Sequence, residues 1–311
     1  MIKRTLYFGN PAYLSTKYAQ LEIRLPEVEK NSTLPESFKA SAVKQIPIED
    51  IGVVVLDNKQ ITITQGALSE LLNNNVAVIS CDEHRMPVGL MLPLAGNTTQ
   101  SERFRHQIEA SLPLKKQLWQ QTIQAKIASQ SAVLRQQRGL ECGNMEAWAK
   151  QVKSGDSDNL EGRAAAFYWQ NLFGDIEGFH RDREGVAPNN LLNYGYAILR
   201  AVVARSLVGS GMLPTLGIHH HNRYNAYCLA DDIMEPYRPF VDKLVAEIVD
   251  SGIDISKLTT EIKSKLLSIP VLDVIMNGRR SPLMIAVATT TASLYKCYSG
   301  EIRKIAYPTM E

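Results

Sequence analysis

The feature that most constrains the fold is a change in the spacing of apolar residues near Pro93. Before this proline, apolar residues alternate with polar ones or form short β-branched runs, which is typical of strands. After it, they recur with the 3.6-residue period of amphipathic helices. The sequence therefore predicts an α+β multidomain protein, with a small, mostly-β N-terminal domain at 1–92 and a larger, all-α C-terminal domain at 93–311.

The same patterns predict individual elements in each domain. In the first domain we expect one short helix at 65–72 and strands at 19–25, 51–56, 60–64 and 76–80. In the second domain we expect helices at 103–112, 114–138, 161–172, 191–207, 232–250, 255–267 and 283–297. Mixed charges, glycines and a proline between 174 and 190 indicate a long exposed loop.

Composition excludes several classes of protein. Apolar residues make up 45% and charged residues 21% of the chain, as in ordinary globular proteins. The four cysteines lie far apart without a Cys-x-x-Cys pair, which argues against a zinc knuckle and predicts reduced thiols in a cytoplasmic protein. The most apolar stretch, 194–212, is interrupted by Arg200 and Arg205, so we expect no membrane span. A formal net charge of +2 neither requires nor excludes nucleic acid, which local basic patches would have to hold.

The most distinctive motif is a run of three histidines followed by acidic residues. Three of the six histidines stand together at His219, His220 and His221. Asp232 and Glu235 follow at a spacing that places both on one face of a helix. Imidazole and carboxylate groups together suit a first-row metal ion, and Mg²⁺ or Mn²⁺ when oxygen ligands dominate. The same residues are also explained without a metal site. The histidines can form a solvated turn, and the two carboxylates can interact favourably with the positive end of a helix dipole.

A second acidic motif lies at 158–161. Asp158 precedes Glu161 by three residues, which fits a capping box with aspartate in the capping position. Alternatively, Glu161 supplies a further metal ligand from a separate helix. The two roles do not exclude each other.

Both motifs resemble those of a known family. The segments 216–227 and 229–239 closely resemble the CRISPR-associated adaptation endonuclease and integrase, the first-numbered Cas protein, in its type II-like form. Further similar segments lie at 75–82, 86–89, 113–119 and 193–197. The resemblance spans residues 50 to 300, which is most of the chain.

The resemblance implies a specific set of site residues. The family uses a glutamate, a histidine and a second acidic residue as catalytic metal ligands for Mg²⁺ or Mn²⁺, and these map to Glu161, His220 and Glu235. The family's Leu-Gly-x-x-His pattern selects His220, and His219 and His221 remain alternatives. Asp232 maps to an auxiliary acidic position, and we also assign His219 an auxiliary role.

The resemblance also implies a reaction and partners. A DNA 3′-hydroxyl attacks a phosphodiester in the CRISPR repeat and so inserts a new spacer, and attack by water instead makes the enzyme a nuclease. The helical domain would be catalytic, and the β-rich domain would mediate dimerisation and partner contacts. Expected partners are spacer-precursor and repeat DNA, a second copy of the chain, the second-numbered Cas protein in a heterohexamer, and the type II effector nuclease with an accessory adaptation protein.

DNA would have to be held along its backbone by basic residues. We select five for this role, although each is equally explained as a solvated surface charge: Arg103, Lys126, Arg181, Arg279 and Arg280. Two other functions share most of these features. One is a general DNA-repair or branched-DNA nuclease without integration, and the other is a non-catalytic nucleic-acid-binding scaffold.

Overall fold

The computed structural model describes residues 2–310 and divides into two compact units, Met1–Gly96 and Asn97–Glu311. The division falls a few residues beyond the predicted boundary at 92/93. The first unit is rich in strands and the second is mainly helical, which confirms the predicted α+β class.

The first unit contains two four-stranded sheets. Its strands are β1 (Arg4–Phe8), β2 (Tyr13–Lys17), β3 (Gln20–Arg24), β4 (Lys44–Pro47), β5 (Ile51–Leu56), β6 (Thr62–Ile63), β7 (Ala77–Cys81) and β8 (Pro87–Met91). One sheet has the order β1-β5-β7-β8, with β8 antiparallel to its neighbour, and the other has the order β4-β3-β2-β6. Three helices accompany them: α1 (Pro26–Glu29), α2 (Glu36–Ser41) and α3 (Gln65–Asn73). One apolar cluster joins both sheets and α3, and Leu21, Val54 and Leu71 lie within it.

The apolar runs predicted the buried strands best. The strand predicted at 51–56 is β5, and the strands predicted at 19–25 and 76–80 are β3 and β7 with slightly different ends. The helix predicted at 65–72 is α3, and the Thr64 side chain caps it by accepting the Ala67 N–H. The sequence patterns did not predict β1, β2, β4 or β8, each of which is only four or five residues long.

The second unit is organised around a 27-residue helix, α5. Its helices are α4 (Gln100–Glu109), α5 (Leu112–Arg138), α6 (Gly143–Gln151), α7 (Leu160–Phe173), α8 (Asn189–Gly209), α9 (Cys228–Met234), α10 (Arg238–Asp250), α11 (Thr260–Leu266) and α12 (Leu283–Tyr298). Helix α5 packs against α6, α7 and α10, and α8 packs against α9, α10 and α12. An antiparallel hairpin of β9 (Asp273–Met276) and β10 (Arg279–Pro282) adds strands that the periodicity did not reveal.

The helix predicted at 232–250 is not continuous. Helix α9 ends at Met234, a 3₁₀ turn covers Glu235–Tyr237, and α10 begins at Arg238. Pro236 and Pro239 explain the interruption, because proline has no N–H to donate within a helix. The turn places Glu235 at a bend that faces α5. Across residues 2–310, no helix combines the length and apolarity that crossing a bilayer requires.

Candidate active site

Glu161 is placed by the N-terminus of α7. The Asp156 carboxylate accepts the backbone N–H groups of the first two residues of α7, each at 3.0 Å. The Asn159 side chain accepts a third N–H, one turn into the helix. Together these bonds satisfy donors that a helix start leaves without partners, and so fix the turn that carries Glu161.

The predicted capping box is therefore wrong. Asp158 does not cap α7; its carboxylate pairs instead with the Lys153 ammonium at 2.7 Å. Glu161 does not reach back to the helix start, because its Oε1 binds the Lys126 Nζ at 2.6 Å. The Glu161 side chain therefore takes no part in capping α7, and of the two roles considered for it only that of a metal ligand is left.

Lys126 lies between two of the predicted site residues. Its Nζ is 2.6 Å from Glu161 Oε1 and 2.6 Å from Glu235 Oε2, so the two carboxylates share one cation. The Lys126 side chain is only 11% exposed. Burial alone would lower the pKa of Lys126, but Glu235 and Glu161 raise it, and the ammonium stays charged. This placement differs from the surface phosphate contact that the sequence analysis assigned to Lys126.

Glu235 is held as a buried carboxylate. Its side chain is 8% exposed, and Arg238, three residues later, donates from Nε to Glu235 Oε1 at 2.8 Å. Burial would raise the pKa of Glu235, but Arg238 and Lys126 lower it to about 2. Arg238 was not among the predicted site residues, although its spacing from Glu235 was a readable signal for an ion pair.

His220 is oriented by Asp232. The fully buried Asp232 carboxylate accepts the backbone N–H of His219 at 2.9 Å and that of His220 at 3.3 Å, and it also hydrogen-bonds His220 Nδ1. The bond to Asp232 raises the pKa of His220. Because Asp232 takes Nδ1, Nε2 is the ring nitrogen left for a ligand or a proton. The auxiliary role of Asp232 stays a prediction, and the contact with His220 is the geometry on which it depends.

His219 has a different environment from His220. Its ring stacks on the indole of Trp119, with centroids 4.1 Å apart and planes at 2°. Burial and the neighbouring His220 lower the pKa of His219, so it stays neutral near pH 7. His220 meets the same indole edge-on at 5.5 Å. Trp119 was not predicted as a site residue, because an isolated tryptophan in a helical pattern indicates a residue of the hydrophobic core.

The two carboxylates fit a divalent metal ion in their chemistry. Glu161 Oε1 and Glu235 Oε2 already share a cation, and carboxylate oxygens are the ligands that Mg²⁺ and Mn²⁺ prefer. Both carboxylates also help to raise the pKa of His220, which shows that the imidazole lies within their field. Yet no group of three or more His, Cys, Asp or Glu within residues 2–310 is arranged to hold a metal. The carboxylate pair fits a hard cation, and a third ligand requires local rearrangement.

A cavity of about 370 Å³ lies beside His220. Lys115, His221 and Arg223 bring basic groups to its wall. Tyr224, next in the chain, is 80% exposed, and the Arg223 guanidinium lies 4.6 Å from its ring. The cavity can therefore receive an anion next to His220.

The other predicted DNA-binding residues have varied surroundings. The Arg103 guanidinium lies 4.0 Å from the Tyr295 ring, and that of Arg181 binds the side-chain oxygens of Asn189 and Asn193. Arg279 and Arg280 are exposed on the β9–β10 hairpin. These placements leave the DNA-binding role of all four as a prediction.

Sequence comparison identifies close relatives. The family model described as CRISPR associated protein Cas1 matches residues 8–268. The CRISPR-associated endonuclease Cas1 of Neisseria meningitidis serogroup C (strain 8013) is 40% identical over 223 residues, which is 71% of this chain and 72% of the relative.

Solved structures share the fold. A casposase bound to integration product superposes with a TM-score of 0.74 at 21% identity, covering 98% of this chain and 92% of that one. A CAS1 protein from Thermotoga maritima gives 0.71 at 15% identity, covering 96% and 97%. A Cas6-RT-Cas1–Cas2 complex gives 0.70 at 18% identity, covering 97% of this chain and 35% of the matched chain. The family match and the relative from Neisseria confirm the resemblance seen in the motifs, and the chain belongs to the CRISPR associated protein Cas1 family.

Proposed function

We propose that this protein is a metal-dependent DNA endonuclease and integrase that inserts new spacers into a CRISPR array and so serves antiviral defence. One observation carries the proposal. In a member of this family, Glu161 and Glu235 come from separate elements and converge on a single cation in the same site as His220. The name of the relative, an endonuclease, and that of the casposase complex, an integration product, support the same chemistry.

The reaction forms one P–O bond and breaks another. The 3′-oxygen of the incoming DNA bonds to a repeat phosphorus, and the repeat strand leaves as a free hydroxyl. Glu161, His220 and Glu235 would hold Mg²⁺ or Mn²⁺, and a bound divalent ion supplies positive charge to the phosphate oxygens. Water in place of the 3′-hydroxyl gives strand cleavage by the same steps.

Proton transfer is the alternative to metal binding as the role of His220. The Asp232 carboxylate holds its Nδ1, so that Nε2 can take the proton of the attacking hydroxyl or give one to the departing oxygen. The raised pKa of His220 keeps a larger fraction protonated near neutral pH than an ordinary imidazole has. The cavity beside His220, with Lys115 and Arg223 in its wall, would admit the DNA backbone.

The proposal extends to partners. DNA is the substrate, and the chain would act in the cytoplasm as a homodimer that joins the second-numbered Cas protein in a heterohexamer. The type II effector nuclease and an accessory adaptation protein are further candidates. Support comes from the family and from the fold shared with a chain of the Cas1–Cas2 complex.

A strand-transfer assay tests the proposal. The protein and its second-numbered partner are incubated with Mn²⁺, a labelled duplex bearing 3′-hydroxyls and a supercoiled plasmid that carries the repeat. We expect joined products, and we expect Glu235→Gln to lower their rate at least about 100-fold, since even residues behind a metal ligand cost 10- to 100-fold. Glu247→Gln, an exposed change on α10, is the control and should keep the wild-type rate.

Two results would contradict the proposal. Cleavage without joined products would make the protein a nuclease that does not integrate. A Glu235→Gln variant that is as active as the wild type would mean that the carboxylates are structural, as in a nucleic-acid-binding scaffold.

A further inference from the structure

Lys126 is a buried cation that the proposed reaction does not use. It contacts both carboxylates of the site, at 2.6 Å each. We infer that the Lys126 ammonium holds Glu161 and Glu235 in position before a divalent ion binds, and that the ion then takes the place of the ammonium. This role rests on the proposed metal centre and adds to it a positioning residue that competes with the metal.

The buried Glu235 carboxylate needs a cation beside it even when no metal is bound. Glu235 is buried, and Arg238 pairs with only one of its oxygens, Oε1. The other oxygen, Oε2, faces Lys126. A buried charge that loses its partner strongly destabilises the fold, so the site without metal requires a positive group next to Oε2.

The backbone of Lys126 is held rigidly by its position in a long, packed helix. Lys126 lies in the middle of α5, between the fully buried Ile123 and Ile127. The backbone at this point is therefore fixed, and only the four-carbon side chain can move. Such a stem has many rotamers, so the ammonium can leave the two oxygens without any change in the helix.

The Lys126 ammonium and a divalent ion would compete for the same two carboxylates. A metal held by Glu161 and Glu235 would need the two carboxylates that Lys126 now contacts. Two cations cannot share the same carboxylate oxygens at contact distance without strong Coulomb repulsion. Within residues 2–310 no three-residue metal group is preformed, as expected for a site in which an ammonium fills the position of the ion.

Replacement of Lys126 by methionine tests the inference. Lys126→Met keeps a long, unbranched side chain and removes the charge. Mn²⁺ binding is measured by isothermal titration calorimetry, and thermal unfolding is followed with and without Mn²⁺. We expect Lys126→Met to bind Mn²⁺ at least about tenfold more tightly than the wild type, which is about 1.4 kcal/mol. Without metal, the melting temperature of Lys126→Met should be lower than that of the wild type. Addition of Mn²⁺ should raise the melting temperature of the variant by more than it raises that of the wild type.

Lys116→Met is the matched control, because Lys116 is an exposed lysine on the same helix, about 15 Å along its axis. It should bind Mn²⁺ with the affinity of the wild type. Equal or weaker Mn²⁺ binding by Lys126→Met would overturn the inference. A wild type that binds no Mn²⁺ would instead overturn the proposed metal centre itself, so the two failures are distinguishable.

A measurement on the wild type covers the case in which Lys126→Met does not fold. Acetylation by a lysine-reactive reagent is read at Lys126 by mass spectrometry, with and without Mn²⁺. We expect Mn²⁺ to raise the labelling of Lys126 at least about threefold and to leave that of Lys116 unchanged, because a displaced ammonium is more exposed and freer to react. Labelling of Lys126 that does not change with Mn²⁺ would overturn the displacement.

Discussion

Gly217 is a position where a single methyl group should disable the site. A Cβ added there would lie 2.3 Å from the His220 carbonyl oxygen and 2.8 Å from Asp232 Oδ2. The Asp232 carboxylate makes the hydrogen bonds that orient His220, and the carbonyl is part of the His220 backbone itself. Gly217→Ala therefore pushes on the His220 backbone and on Asp232, and neither yields easily, because one is main chain and the other is a fully buried carboxylate.

The distances set the size of the effect. Ordinary carbon–oxygen contact requires the His220 carbonyl to move by about 1 Å, because atoms pack at 3.5 Å or more. Such a shift weakens the hydrogen bonds to the Asp232 carboxylate, each of which contributes about 1.5 to 3 kcal/mol. We expect the free energy of unfolding to fall by about 2 to 4 kcal/mol. A misplacement of about 1 Å at a reacting group also costs on the order of 100-fold in rate.

The assay combines strand transfer with urea unfolding. Gly143→Ala is the control, since a Cβ at Gly143 meets no atom within 4 Å. It should leave the strand-transfer rate and the urea midpoint near those of the wild type. If Gly217→Ala transfers strands at the wild-type rate, the close packing of Gly217 against the His220 loop does not matter for the reaction, and the reasoning is refuted.

Two further predictions concern residues around the site. Asp156→Ala should lower the free energy of unfolding by about 1 to 2 kcal/mol, since two N–H groups at the start of α7 lose their acceptor, and it should weaken Mn²⁺ binding through Glu161. Asp158→Ala should match the wild type in the same urea melts and titrations, and a loss as large as that of Asp156→Ala would contradict the assignment of the cap. Asp242 accepts hydrogen bonds from two buried tyrosine hydroxyls, and burial raises its pKa from 3.8 to about 7. Because the folded state binds the Asp242 proton more tightly than the unfolded state does, protonated Asp242 contributes its full stabilisation below about pH 4. This contribution is lost as the pH rises towards 7. From pH 5 to pH 8 the wild type should therefore lose about 3 kcal/mol relative to Asp242→Asn in urea unfolding, and a constant difference would refute the shift.

The sequence by itself determined much of the secondary structure and pointed to three candidate site residues. The apolar period predicted α5, α7, α8 and α12 within a few residues, because helical amphipathicity is encoded in neighbouring positions. The compact apolar run predicted β5 at its true ends for the same reason. The motifs selected Glu161, His220 and Glu235, and the structure places Glu161 and Glu235 on one ammonium, within the field of His220.

Only the tertiary structure decided how those residues are held. That Lys126 lies between Glu161 and Glu235 depends on the packing of α5 against α7 and the turn at Glu235, which no local pattern encodes. The choice between His219 and His220 likewise depends on which ring stacks on Trp119 and which bonds Asp232. Local periods arise from residues a few positions apart, whereas an ion pair or a ring stack between distant segments exists only once the chain has packed.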